Sequence, residues 1–224
     1  MAERSHRRIA SVAVIGGGIA GLACATALAR AGVRVSLFDK GRCPGGRVAT
    51  RHVEGIAFNH GAQFATARGA RFGALLAALR QQGRAATWAR AGGAGQRVAF
   101  VPDMAELPAA LAEQAATLGV QRFQARHAAC VHRVPHGYAV RHLPPAEIRP
   151  GGITDRGGAL SERHDAVVLA LPPSQAQALL ATMDHPFAAS VSAAQLAPCW
   201  AVMARFERPV PGADVIEDKA GILA

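Results

Sequence analysis

The residues best suited to hold a charged ligand lie near the start of the chain. Gly16-Gly17-Gly18-Ile19-Ala20-Gly21 fits the pattern G-x-G-x-x-G, in which a bare backbone turn and the helix start behind it bind an anion such as a pyrophosphate. In that pattern Gly16 allows the tight turn, Gly18 lets a pyrophosphate approach the backbone, and Gly21 lets the helix pack close on the strand. Anion binding at a helix start contributes about 0.3 to 1 kcal/mol when exposed and up to about 2 when partly buried, so further contacts are required. Asp39 follows Gly21 by 18 positions, close to the spacing of about 20 at which an acidic residue accepts a ribose hydroxyl. A 2′-phosphate would meet that carboxylate as a like charge, costing about 1 kcal/mol in water and about 4 at an effective dielectric of 20 for a 4 Å separation. An unphosphorylated adenosine ribose is favoured, as in NAD or FAD.

These residues need a strand, a turn and a helix to position them. Ile9 to Ile15 is a short apolar run with β-branched residues, three glycines break it, and Ile19 to Ala31 resumes with alanine-rich, helix-forming character. In Val33 to Asp39, Val33, Val35 and Leu37 alternate with Arg34 and Ser36, as in a second strand. The uncharged stretch from Ile9 to Ala29 also has the composition of an export signal and the length of a membrane span. Its internal punctuation argues against both, because three consecutive glycines cost a helix about 1 kcal/mol each. No membrane partner is expected, and the cytoplasm is the expected compartment.

The chain has 224 residues, 50% of them hydrophobic, and a formal net charge of +10. It can bury a core, as one large domain or two small ones. The positive charge is nearly all arginine, scattered along the chain, and only Lys40 and Lys219 are lysines. With aromatics at 5% there is little to stack bases, so a solvated basic surface is expected rather than a nucleic-acid groove. Cys24, Cys43, Cys130 and Cys199 form no Cys-x-x-Cys pair, which points to free thiols without a metal or disulfide framework. Cys24 is expected in the core.

A second glycine turn follows Asp39. In Gly41 to His52, Gly45-Gly46 supplies the turn and Arg47 a rigid fork of donors suited to a diphosphate. With Gly16, Gly18, Ile19, Ala20, Gly21, Asp39 and Lys40 before it, and Gly45, Gly46, Arg47 and Thr50 in it, the chain resembles flavoproteins of the amine oxidase superfamily. Gly61-Ala62-Gln63-Phe64 resembles the segment lying beside the flavin in the bacterial renalase-like subgroup. Asn59 stands where many relatives carry an acid, and Asp103 where they often carry glycine. The resemblance further implies that Val131 holds adenine through its backbone, and that Ala170 to Pro172 approach the cofactor; packing explains the latter equally well.

Elsewhere the pattern is structural. Phe72, Leu75, Leu76 and Leu79 form a helical core stripe ending before Gly83. Trp88 to Val101 contains strand material interrupted by Gly92-Gly93-Ala94-Gly95. Asp103 and Glu106 have capping-box spacing, while Pro108 moves the expected helix start nearer Leu107. Val120–Phe123, Cys130–Val134 and Tyr138–Val140 read as strands, the last pair turned by Pro135-His136-Gly137. Pro144 to Gly158 is a Pro/Gly-rich excursion, and Asp165 to Pro173 reads as a fully buried parallel strand. By resemblance, Trp200 and Phe206 anchor a return into a substrate domain, most of which is missing before Ala224.

The expected fold is α/β, with a Rossmann-like FAD-binding domain (parallel sheet with β-meander, residues 9–85 and 120–185) interleaved with an incomplete α+β substrate domain (86–119 and 186–224). The resemblance implies non-covalent FAD and hydride transfer to flavin from a small-molecule substrate, an amine or a dihydronicotinamide. The alternatives are a truncated, non-catalytic dinucleotide-binding remnant and an NAD-dependent dehydrogenase. No catalytic pair, nucleophile motif or metal site is discernible.

Overall fold

The computed structural model describes residues 8–88, 96–148 and 156–208. In chain order its elements are β1 (Ser11–Ile15), α1 (Ile19–Arg30), β2 (Arg34–Phe38), β3 (Arg51–Val53), β4 (Ile56–Phe58), α2 (Ala70–Gln81), β5 (Ala85–Thr87), β6 (Val98–Phe100), α3 (Glu106–Thr117), β7 (Gln121–Phe123), β8 (His127–Val134), β9 (Gly137–Leu143), β10 (Ala159–Leu160), β11 (Ala166–Leu169), α4 (Pro173–Ala181) and α5 (Phe187–Ser192). They form two compact units, dividing at Gly46/Arg47, Leu107/Pro108 and Cys199/Trp200.

The first unit is α/β. Its parallel sheet has the order β11-β1-β2-β7, with Val14 opposite Leu37 on one side and Val168 on the other. β1 is buried along its whole length, as a central strand with both faces covered must be. Ala13, Ile15 and Phe38 on one face pack with Val131 and Val140 of the antiparallel β10-β9-β8 sheet and with Leu179 of α4. Strand alternation turns Val12, Val14, Val35 and Leu37 to the opposite face, and α1, with Leu22 and Ala25 buried, contacts both β1 and β2. Each large apolar side chain so buried contributes about 1.5 to 3 kcal/mol.

Asp165 fastens β11 to β1 at their starts. Its Oδ2 accepts the Ala10 and Ser11 N–H groups, each at 2.9 Å, and its Oδ1 accepts from Arg163 Nη1 at 2.7 Å. The Arg163 bond, followed by the backbone donors, holds this carboxyl well below the usual carboxylate range.

β11 departs from expectation. It pairs in parallel with β1, but all four of its residues are half-buried rather than buried, because among the described residues it has a strand on one side only. Cys24 is likewise half-buried. The β8–β9 hairpin is longer than its sequence signal, and His136 makes its turn at φ +63.

The second unit holds two antiparallel hairpins, β3-β4 and β5-β6, and α2. Leu76 and Leu79 of α2 are buried while Phe72 and Leu75 are half-buried, and Gly83 at φ +73 follows the helix. The short β5 has no sequence signature, and the four residues 92–95 expected to interrupt this sheet lie outside the described residues, as does much of the Pro144 to Gly158 excursion. The helix near Asp103 starts at Glu106, one residue earlier than expected. No reciprocal capping box forms: Asp103 Oδ1 accepts the Ala105 N–H at 2.8 Å, and the Glu106 carboxylate takes Arg84 Nε. Trp200 and Phe206 are 94% and 67% exposed rather than buried, and residues 194–206 form neither strand nor helix.

Among the described residues no helix is long and apolar enough to cross a membrane, and no group of three or more His, Cys, Asp or Glu residues could hold a metal ion.

Candidate nucleotide site

The turn between β1 and α1 is shaped by three glycines that have no room for a side chain. Gly16 adopts φ +111, and a Cβ on it would run into the Ala170 carbonyl. Gly21 presses on the Gly16 carbonyl, and a Cβ there would also stand 3.3 Å from Ala170 Cβ. Ala170 is fixed by its N–H to the Ile15 carbonyl at 2.8 Å, so the residue after β11 forms a wall of the turn. Gly17 is excluded from carrying a side chain by Asp39, whose Oδ2 would lie 2.8 Å from its Cβ.

Gly18 differs from its neighbours. It has φ −73 and ψ 178, a conformation open to any residue, and the nearest atom to a Cβ there is the Gly45 carbonyl oxygen at 3.9 Å. The protein's own packing does not demand glycine at this position. Gly18 caps α1 without a side-chain hydrogen bond, and the first helical turn carries no acidic residue. The helix start therefore keeps its bare N–H groups and the positive end of its dipole. That donor set, beside an opening that a Cβ would fill, suits a pyrophosphate.

The second glycine turn lies against the first. The Gly45 N–H donates to the Gly17 carbonyl at 3.1 Å, Gly18 and Gly45 form a parallel bridge, and Gly46 takes φ +56. A Cβ on Gly46 would approach Gly18 Cα to 3.5 Å.

Asp39 sits just beyond β2, at the carboxyl end of the parallel sheet where open α/β sheets bind ligands. Its Oδ2 accepts the Gly17 N–H and its Oδ1 the Gly41 N–H at 2.6 Å. Gln124, just beyond β7, donates Nε2 to the Gly41 carbonyl at 2.5 Å and approaches Asp39 Oδ1 at 3.4 Å. Lys40 is exposed and donates to Gln175 Oε1 at 3.4 Å.

Gly16, Gly18, Ile19, Ala20, Gly21, Asp39 and Gly46 thus gather around one turn. Val131 lies on a different sheet of the same unit; it is 1% exposed, and its N–H reaches Thr182 Oγ1 at 3.3 Å. Arg47, Gly61, Ala62 and Gln63 belong to the second unit. There the Arg47 carbonyl accepts the Ala62 N–H at 3.0 Å, and that same carbonyl leaves Gly61 no space for a Cβ. The Arg47 and Gln63 side chains are on exposed residues. Phe64 packs edge-on to Trp88, ring centroids 6.0 Å apart, and carries the Arg97 guanidinium 4.6 Å over its ring.

Sequence reasoning missed a polar knot in this second unit. Thr50 Oγ1 donates to Asn59 Oδ1 at 2.8 Å and accepts the Ala105 N–H at 3.1 Å. Asn59 Oδ1 also accepts the Met104 N–H at 3.1 Å, and Asp103 Oδ2 meets His52 Nε2 at 3.0 Å. Burial raises the Asp103 pKa, but the bond from the Ala105 N–H, with the neighbouring Thr50 hydroxyl and His52, outweighs it and brings the carboxyl below its ordinary value. Asn59 and Asp103 both serve here to hold the loop before α3. Gln124 and Gly17 were also missed; a third consecutive glycine was the available signal for the latter.

Residues 14–79 match the NAD(P)-binding Rossmann-like domain family. Solved structures share the fold at low identity. A candidate protoporphyrinogen oxidase from Exiguobacterium sp. 255-15 is 14% identical with a TM-score of 0.55, the match covering 76% of this chain and 61% of that one. Putrescine oxidase, solved bound to putrescine, is 17% identical with a TM-score of 0.53, over 75% of this chain and 59% of that one. THI4 of Thermovibrio ammonificans is 19% identical with a TM-score of 0.50, over 78% and 61%. The chain spans about three-fifths of the length of each of these proteins. The Rossmann-like domain implies a dinucleotide, hence a small-molecule ligand.

Proposed function

We propose that the chain binds FAD non-covalently and serves as the nucleotide-binding part of a flavin-dependent oxidoreductase of the amine oxidase superfamily, renalase-like in its motifs. The observation that carries this reading is Gly18: a glycine the protein's packing does not require, at a bare helix start, braced by a second glycine turn. The pairing of that second turn with Arg47 is what separates the motif from a plain NAD site. The likeness of fold to putrescine oxidase, a structure concerned with cofactor binding, agrees with it.

In this reading the N–H groups at the start of α1 and the Arg47 guanidinium hold the pyrophosphate, Asp39 accepts the adenosine ribose, and Lys40 adds charge at the rim. Val131 belongs to the adenine end, and Gly61-Ala62-Gln63 to the flavin end. FAD, when bound, supplies the acceptor for a hydride equivalent from a small amine or a dihydronicotinamide. The division into a FAD-binding domain (9–85 and 120–185) and a substrate domain (86–119 and 186–224) is part of the same proposal.

Gly18→Ala provides the test. Its Cβ meets nothing closer than 3.9 Å, so thermal unfolding should match the parent within about 0.5 kcal/mol, while FAD affinity in a fluorescence titration should fall at least ten-fold. Equal FAD affinity in the two proteins would overturn the assignment. NAD bound in preference to FAD by the parent chain would favour the nicotinamide alternative, in keeping with the family matched by residues 14–79.

A further inference from the structure

We infer that Gln124 is a positioning residue that fixes the Asp39 carboxylate and thereby sets the preference for a ribose without a 2′-phosphate; this rests on Asp39 being the ribose acceptor. A carboxylate rejects a neighbouring phosphate only while it cannot turn away. On a swivelling side chain, the like-charge cost is relieved by rotation.

Asp39 is clamped from two sides. Gly17, in the turn, takes Oδ2, and Gly41, in the following loop, takes Oδ1 at 2.6 Å. The Gly41 bond is local and moves with its loop. What ties that loop to the sheet is the end of β7. The Ala125 N–H donates to the Gly41 carbonyl at 3.0 Å, and the Arg126 N–H to the Asp39 carbonyl at 2.8 Å. Gln124 is the one side chain in this set, donating to the Gly41 carbonyl at 2.5 Å and lying 3.4 Å from Asp39 Oδ1. Both of these partners are acceptors. The amide is therefore oriented with its nitrogen toward them, and one group restrains the carboxylate and its loop together. Gln124 is half-buried, so the restraint is partly shielded from water.

The test uses the full chain with two probes, ADP-ribose and 2′-phospho-ADP-ribose, titrated calorimetrically against the parent, Gln124→Met, Gln124→Ala and Asp39→Asn. Gln124→Met keeps the length and loses both donors. The parent should prefer ADP-ribose. In Gln124→Met and Gln124→Ala that preference should fall about three- to ten-fold, the range for one lost hydrogen bond, chiefly by tighter binding of the phosphorylated probe. Asp39→Asn should lower the preference further. A purely structural role for Gln124 would weaken both probes alike, and an unchanged ratio in whichever Gln124 variant folds overturns the inference. If Asp39→Asn alone shifts the ratio, the ribose reading stands and the Gln124 role fails. If Asp39→Asn also leaves it unchanged, or the parent binds neither probe, both fail.

Discussion

The glycine turn of the first unit and the Thr50–Asp103 knot of the second hold their loops by opposite means. In the turn, Gly16, Gly17 and Gly21 carry no side chains, and backbone and neighbouring groups fill the space. In the knot, Thr50, Asn59, His52 and Asp103 supply side-chain donors and acceptors to a loop backbone left without a ladder. A turn built by omission tolerates no added atom at those three positions, whereas a knot built of hydrogen bonds loses strength one bond at a time.

The contrast can be broken from either side. The largest effect is expected at Gly21→Ala: its Cβ would overlap the Gly16 carbonyl, α1 would have to lift from the turn, and stability should fall by more than about 4 kcal/mol. Loss of the cooperative transition in denaturant would show this; a parent-like midpoint would mean the turn yields easily. Asp103→Ala should cost less, about 1.5 to 3 kcal/mol for hydrogen bonds to a charged group, read as a shifted urea midpoint with unchanged slope. Because the Asp103 pKa is lowered on folding, its contribution is present above its unfolded value of 3.8 and disappears as pH falls through the folded value. Parent and variant midpoints should therefore converge in acid.

The smallest effect separates the units by pH. His142 and His164 of the first unit are 7% and 1% exposed, surround Phe38 at 5.1 and 6.4 Å between centroids, and each has a ring nitrogen without a hydrogen-bond partner. Burial lowers both pKa values, helped by Arg126 at His142; at His164 Glu162 and Asp165 oppose it while Arg34 and Arg163 assist, and the net direction is still downward. The unfolded chain then binds protons that the folded chain refuses, so stability is full above pH 6.5 and declines below it. Melting temperatures at pH 8 and pH 5.5 should differ by a few degrees, about 1 kcal/mol, and His142→Phe should narrow the gap. A gap unchanged in that variant would exclude His142 as a source.

The division between what the sequence foretold and what it hid follows the range of the interaction. β1, α1, β2 and α2 carry their periodicity and punctuation locally, and Gly16, Gly18, Gly21 and Asp39 stand at spacings set by one strand-turn-helix unit. The need for glycine at position 17 arises from Asp39, 22 residues on, and the Asp103–His52 contact spans 51 residues. No local pattern announces such pairs. The apolar run at β11 suggested full burial because composition reports what a strand could bury, not whether a strand lies on its other side.

The wall that Ala170 gives to Gly16 also has a consequence for synthesis. The first strand, turn and helix leave the ribosome long before the residues that complete their surroundings, and the two contacts that finish them, Asp165 on Ser11 and Ala170 on Ile15, join positions some 154 residues apart or more. Until that late segment emerges, the nascent turn has neither its far wall nor the clasp at the foot of β1. The strand and turn therefore gain their full surroundings only once residues far downstream have been made.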